Sequence, residues 1–339
     1  MFALLAATAV LPACSSSPLS SAPPTIEPAK AAQSPPVSQR PAGAVRPMAG
    51  PATAATFDGG THQLAVLTPG AAPAAPATIT AFAGPEAAPR VFTLPGPATA
   101  LTGDGRGAAY LATRGGYFVV ELSDGHTGFV SVAGAQQVDF TAIARRADGR
   151  LALGSADGAV YLLQGPDSTG AAAAVTSRNK IFARVDCLVA QGNTTVVLDR
   201  GQTSVTSISA DGHAEQALRA GAGATTLAAD PLGVVLAADT RGGQLLVYGV
   251  DPLMLRQAYP VRHAPYGLAG SRELAWVSLT ASNMVVGYDL STGIPVEKVR
   301  YPTVQQPNTL AFDETSGTLY VVSGSGAGIQ VIEHAASAP

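Results

Sequence analysis

The sequence predicts an all-β fold: a seven-bladed β-propeller of four-stranded blades, its ring closed by an N-terminal outer strand that completes the last blade. Three observations carry that expectation. Seven segments of one plan begin 38 to 47 residues apart, a period that belongs to propeller blades rather than to shorter solenoid repeats. Each segment has a short apolar run, a turn rich in Gly, Asp, Asn or Ser, and then a β-rich run. Between them the apolar runs span only five to eight residues, without the spacing of an amphipathic helix. The chain has 339 residues, 47% of them hydrophobic, which suffices for a sizeable core. Alanine supplies much of that figure, so the core has to be located from pattern.

Residues 1–13 contain an apolar stretch from Phe2 to Leu11. It is too short to span a bilayer, which takes about 20 residues, and it suits the hydrophobic region of a secretory signal. The "LPAC" that ends at Cys14 resembles the lipobox of bacterial lipoproteins, which implies that Cys14 is lipidated and becomes the mature N-terminus. Attached acyl chains would give the two hydrophobic anchors that stable membrane attachment needs. Residues 14–41 then read as the lipidated cysteine and a disordered Ser/Pro/Ala tether, with almost no large apolar side chain to offset ordering entropy. The resemblance therefore implies a protein held on the extracytoplasmic face of a cell membrane.

The propeller is expected over 42–335, with 336–339 as a tail. The paired inner runs fall at 51–68, 97–114, 139–156, 186–200, 224–240, 265–281 and 307–323. A third run follows a tight turn, as in "YFVVELS" (117–123) and "MVVGYDL" (284–290). A more polar fourth run comes after it, as in "EQALRAG" (215–221) and "VEKVRYP" (296–302). Inner strands packed on both faces and an outermost strand meeting water fit that order. Blade three has a longer loop before its outer strand, within 166–182. The last blade lacks a fourth run, and "AGAVRPMAG" (42–50) has the form of one. Residues 42–48 are thus expected to pair near 328–334, so that the tether would join the ring beside the last blade.

The segments "LYVVSGSGAGIQVIE" (319–333), "LAWVSLTASNMVVGYDLSTG" (274–293) and "VVLAADTRGGQLLVYGVD" (234–251) resemble the YVTN-type repeat of bacterial surface propellers. There, a strand ending in a small polar residue passes through Asn or Gly into a strand that closes on an acidic residue. With three lysines against seventeen arginines and abundant alanine, the chain also resembles propeller lipoproteins of high-GC actinobacteria. Fold leaves function open, since propellers serve enzymes and scaffolds alike.

A net charge of -3 with 13% charged residues shows no basic footprint for nucleic acid. Cys14 and Cys187 cannot build a disulfide framework. Cys187 lies in an apolar inner run, where a free thiol packs as a small hydrophobe. The five histidines, His62, His126, His213, His263 and His334, are scattered without metal-ligand spacing, and no nucleophile elbow or phosphate loop is present. Trp276 sits inside an apolar strand and reads as core. Asp-Gly turns at Asp104, Asp124, Asp148, Asp157 and Asp211 read as turn chemistry rather than calcium loops. No cofactor is expected.

One constellation stands out. In a propeller the second-to-third turns and the blade-to-blade connections open on one face. The turns carry Arg114, Arg200 and Arg241; the connections carry Arg184, Arg262 and His263, with Asp139 and Asp186. The planar guanidinium suits carboxylate or phosphate, so this rim could capture an anionic ligand; equally, Asp139 and Asp186 could pair with the arginines and merely hold loops. The favoured function is a monomeric, non-catalytic platform for an envelope protein, glycan or anionic lipid. The alternative is a propeller hydrolase or lactonase at the central mouth, with Asp139, Asp186 and Asn308 as metal ligands.

Overall fold

A computed structural model describes residues 24–84, 87–165 and 172–337. Among these the chain forms seven sheets, antiparallel apart from one two-residue strand, and no helix. The first strands of the blades are Ala54–Asp58, Ala100–Gly103, Phe140–Arg145, Cys187–Gln191, Ala224–Ala229, Pro265–Gly270 and Pro307–Asp313. Each touches the first strand of the next blade, and the last touches the first, so the ring is closed. The fold is a seven-bladed β-propeller, as the repeat period predicts.

Burial follows the expected gradient from axis to rim. The second strands Gln63–Thr68 and Val234–Asp239 are buried throughout, whereas the outer strand Ala214–Arg219 is exposed along almost its whole length. Alanine has its place here: Ala65, Ala109, Ala152 and Ala237 are fully buried on second strands, where converging blades leave room only for small side chains. Larger residues fill the seams, one apolar cluster per pair of neighbouring blades. Trp276 is wholly buried in the seam between blades six and seven, where its indole stacks on Phe312 at 5.9 Å.

Hydroxyls stitch the blades together along the axis. Thr99 donates to the carbonyl of Phe140, Thr141 to that of Val185, and Thr226 to that of Tyr266. Each bond joins a first strand, or the residue that leads into it, to the backbone of the following blade. Blade six has Gly267 at the threonine position, because a Cβ there would lie 2.8 Å from the Asn308 carbonyl oxygen. Ser278 of the second strand takes over and donates to Pro307 O.

The ring closes where the sequence places it. Ala44–Arg46 runs antiparallel to Ile329–Ile332, with Ala44 opposite Val331 and Arg46 opposite Ile329. Gly43 leads into this strand at φ +66°, and a Cβ would meet Val331 O at 2.1 Å. Only glycine fits. Phe57 stacks on Tyr320 at 5.6 Å across the same seam. In blade three the outer strand is Val175–Lys180. Ahead of it, Ala172–Ala173 adds a short parallel strand to the edge of blade two.

Deleting residues 42–50 removes the closing strand and leaves the Ile329–Ile332 edge unpaired. The expected loss is about 3 kcal/mol or more, from several backbone hydrogen bonds at about 1 kcal/mol each plus seam packing. Thermal unfolding reads it, and an unchanged midpoint would show that the pairing contributes nothing.

Candidate functional site

The first strands enclose an axial channel of about 810 Å³, walled largely by alanine and threonine. One end, here the upper face, carries the second-to-third turns and the blade-to-blade connections, knitted by bonds such as Thr280 N to Ala264 O and Gly324 N to Gln306 O. In blades four to seven its loops are shaped by the residue at the end of the second strand. Asp239 is fully buried and accepts the amides of Ala222, Gly223 and Gly242 at 2.8–2.9 Å. Asp199 likewise accepts from Ala183, Gly201 and Gln202. In blades six and seven Thr280 and Ser323 donate instead, to Ala264 O and Gln305 O. Each side chain ties a blade's turn to the connection leading into that blade; Arg200 follows directly on such a pinned carboxylate, and Arg241 follows Asp239 by two positions.

The six basic residues of the predicted rim do lie on loops of this face, but they meet different partners. Arg114 faces Asp139 at 3.6 Å and donates to Gln137 Oε1 at 2.8 Å. Arg184 pairs with Asp186 at 2.6 Å. Both pairs are partly exposed and so contribute at most about 1 kcal/mol each. Arg200 donates to Ala29 O, and Arg241 to Glu27 O at 2.7 Å. Arg262 and His263 are exposed and have no side-chain hydrogen bond or ion pair among the described residues. Asp186 and Asn308 line the channel, whereas Asp139 lies outside its wall. Asn308 Oδ1 accepts from Gln306 Nε2 at 2.9 Å. Among the described residues no three His, Cys, Asp or Glu side chains gather into a metal site.

The contacts of Ala29 and Glu27 show that, within the expected free tether 14–41, the stretch 26–35 is bound; 14–23 lie outside the described residues. From residue 26 to 35 the chain is a strap laid over blades four to seven. Ile26 N donates to Gly201 O at 2.8 Å. Gln306 Nε2 reaches Ala32 O at 2.9 Å, Asn283 Nδ2 reaches Pro35 O at 2.8 Å, and Ser34 Oγ donates to Thr280 O at 2.6 Å. Within the strap Ala29 and Ser34 are buried. The described chain therefore first meets the propeller above blade four and crosses the upper face before it joins the last blade at Ala44–Arg46. Cys14, the proposed anchor, lies outside the described residues.

The loops beneath the strap are strained. Among the described residues seven non-glycine positions have positive φ, and five of them, Thr203, His263, Ala264, Asn283 and Gln306, lie on the upper face of blades four to seven. Such conformations cost about 1–3 kcal/mol each and cluster where side chains are aimed for a purpose. Asn283 and Gln306 are two of the strap's holders. Sequence reasoning missed Asn283, Gln305, Gln306 and Thr280, since ordinary polar loop residues carry no signal until their backbone geometry is known.

Cys187 lines the channel wall. Burial pushes its thiol up to about 11 against weaker opposing effects of the Leu227 backbone and Arg200. The neutral thiol is a poor nucleophile. Burial likewise raises Tyr266 beside it. The Asp-Gly turns behave as turn chemistry: Asp104 accepts Arg106 N and Ala108 N, and Asp124 accepts His126 N.

No protein-family model matches the chain, and no curated protein matches it. Solved structures do. A chain of the mitotic checkpoint complex is similar over 90% of this chain and 98% of its own length, at 11% identity and a TM-score of 0.71. A streptogramin B lyase structure covers 87% and 97%, at 13% identity and 0.63. The WD40 β-propeller domain of Doa1 covers 87% and 96%, at 11% identity and 0.63. At these identities the likeness is one of fold.

Two outcomes follow from this geometry. Asp239→Ala removes the acceptor of three loop amides, of which that of Gly223 is buried, and is expected to cost about 1–3 kcal/mol, read by denaturant unfolding; a loss below about 0.5 kcal/mol would contradict the pinning role. For Cys187, thiol-specific labelling of the folded protein stays slow from pH 7 to 9 and accelerates toward pH 11, because thiolate forms only as pH approaches the raised value. Fast labelling at pH 7.5 would show an activated thiol.

Proposed function

We propose that the protein is a lipid-anchored, extracytoplasmic lipoprotein of the YVTN-like propeller type. Its upper face acts as a non-catalytic platform for an envelope partner, protein, glycan or lipid, that presents carboxylate or phosphate groups. One observation carries the reading: of the six basic residues on that face, Arg262 and His263 alone have neither ion pair nor side-chain hydrogen bond among the described residues. They stand together on the connection between blades five and six, at the margin of the strap. The other four are occupied by Asp139, Asp186 and the strap carbonyls, so the anion-binding surface contracts to this corner. The connection is fixed from behind, since Ala281 N and Thr280 N donate to the carbonyls of His263 and Ala264. With the backbone already held, binding has to order only the side chains.

The "LPAC" ending at Cys14 supports the anchor. The solved propeller from the mitotic checkpoint complex illustrates the fold serving in an assembly. The hydrolase reading has less support, because Asp139 and Asp186 face arginines and Asn308 faces Gln306.

Two measurements test this. Cys14→Ser is expected to move the protein from the membrane fraction to the soluble fraction, and retention in washed membranes would remove the lipid anchor. A photo-crosslinking residue at position 262 in the lipidated protein is expected to yield one discrete adduct in cells. Replacing His263 by Ala should weaken that adduct several-fold. A ladder of unrelated adducts, or none, would overturn the platform.

A further inference from the structure

The strap is bound in an unusual manner for a segment of a folded chain. It forms no strand, and its backbone makes a single bond to the propeller backbone, from Ile26 to Gly201. Everything else is side chain to main chain. Arg241, Arg200 and Gln306 donate to the carbonyls of Glu27, Ala29 and Ala32; Gln305 and Asn283 donate to those of Ser34 and Pro35. These donors read an extended backbone and ignore most of its side chains. Five loops, contributed by four blades, converge on one ten-residue stretch.

We propose that this bed is a peptide-binding track for extended, proline-containing segments of partner proteins, and that residues 26–35 are its occupant in cis. The inference deepens the platform reading above and rests on the upper face being the binding surface.

Three features define what the track accepts. Its donors need carbonyls and, between Ile26 and Ser34, almost no amides in return, which matches a segment interrupted by Pro28 and followed by Pro35 and Pro36. Prolines keep the carbonyl, lack the amide, and hold the chain extended at low entropic cost. Two positions five residues apart must be small. Ala29 lies 7% exposed with its Cβ against the backbone position of Gly223, and Ser34 lies 6% exposed between Thr280 and Gln306. Apart from the half-buried Ala31 and Ala32 the rest of the strap is open to solvent, so charged side chains such as Glu27 and Lys30 are tolerated.

The hold is also weak enough to exchange. Two small buried side chains add little hydrophobic stabilisation. The hydrogen bonds contribute about 1 kcal/mol each, and ordering ten residues costs about 1–2 kcal/mol per residue. The strap therefore belongs to the low-stability end of the molecule. The bed does not depend on it: Asp199 and Asp239 pin the turns of Arg200 and Arg241 through the propeller's own amides. A tethered strap competes at an effective concentration in the millimolar range. A partner would displace it by adding contacts at Arg262 and His263, on the adjoining connection.

The test uses a fluorescein-labelled peptide of residues 25–38, TIEPAKAAQSPPVS, and two forms of the full chain in detergent. One is intact; in the other, residues 26–35 are replaced by a Gly-Ser repeat of equal length, which keeps the closing strand attached. Fluorescence anisotropy is expected to show binding to the replaced form at least tenfold tighter than to the intact form. Adding Arg200→Ala and Arg241→Ala to the replaced form should weaken it about tenfold again, and a peptide with Leu in place of Ala29 and Ser34 should not bind. Equal binding by intact and replaced chains, or indifference to the two arginines, overturns the track, provided the replaced chain keeps its unfolding transition. Should it lose that transition, the intact chain is nicked at a protease site inserted within 37–41. Exchange of the cut strap for labelled peptide supports the proposal, and a strap that stays bound against excess peptide overturns it. Failure of crosslinking at position 262 would remove the envelope platform and leave these results standing.

Discussion

Closure of the ring by Ala44–Arg46 against Ile329–Ile332 is the constraint on which the rest of the molecule depends. A propeller blade has no core of its own; its apolar faces are buried only by its neighbours, so seven seams must be present together. The seam between blades seven and one, with Phe57 on Tyr320, includes Ile329 of the strand that Arg46 pairs with. Closure also sets the angle between successive blades, and hence which loops come within reach of one another on the upper face. Without it Arg200 of blade four and Gln306 ahead of blade seven would not sit along one path.

Within that frame, placement of the site falls to buried polar groups at the ends of second strands. Asp199 and Asp239 would be costly to bury alone, and each is matched by three backbone amides or more. The same anchor is made by Thr280 and Ser323 with the polarity reversed. A polar residue at this point thus fixes a turn and a connection at once, and the exposed side chain that follows inherits a defined direction. Strain at Asn283 and Gln306 is sustained by this framework.

Much of the fold was legible in the sequence because repetition averages out local ambiguity. No single run such as "AVYLL" (159–163) distinguishes a strand from a buried helical turn, yet seven copies of run, turn and run at one period do. The closing strand could be placed because "AGAVRPMAG" matches outer runs elsewhere and the last blade lacked one. Topology alone put Arg114, Arg184, Arg200, Arg241, Arg262 and His263 on a common face. It could not say which arginines find a carboxylate, since Asp139 and Asp186 stood equally open to several of them. The strap was illegible for a physical reason. A Ser/Pro/Ala segment has the composition of a spacer whether or not it is bound, and here its binding rests on main-chain carbonyls, which every residue possesses. The information lies in Asn283, Gln305 and Gln306, far along the chain.

Closure has a cost in time. Ala44 leaves the ribosome about 290 residues before Val331, an interval of roughly 15–60 s at usual rates of synthesis. Throughout it the closing strand lacks its proper neighbour while other blades offer transient edges of similar character. A long apolar strand would pair with the first of these and trap the chain. Three residues, two of them exposed and the last an arginine, bind too feebly for such an error to persist. The brevity of this strand, a weakness in the finished ring, keeps it available until the end of the chain arrives.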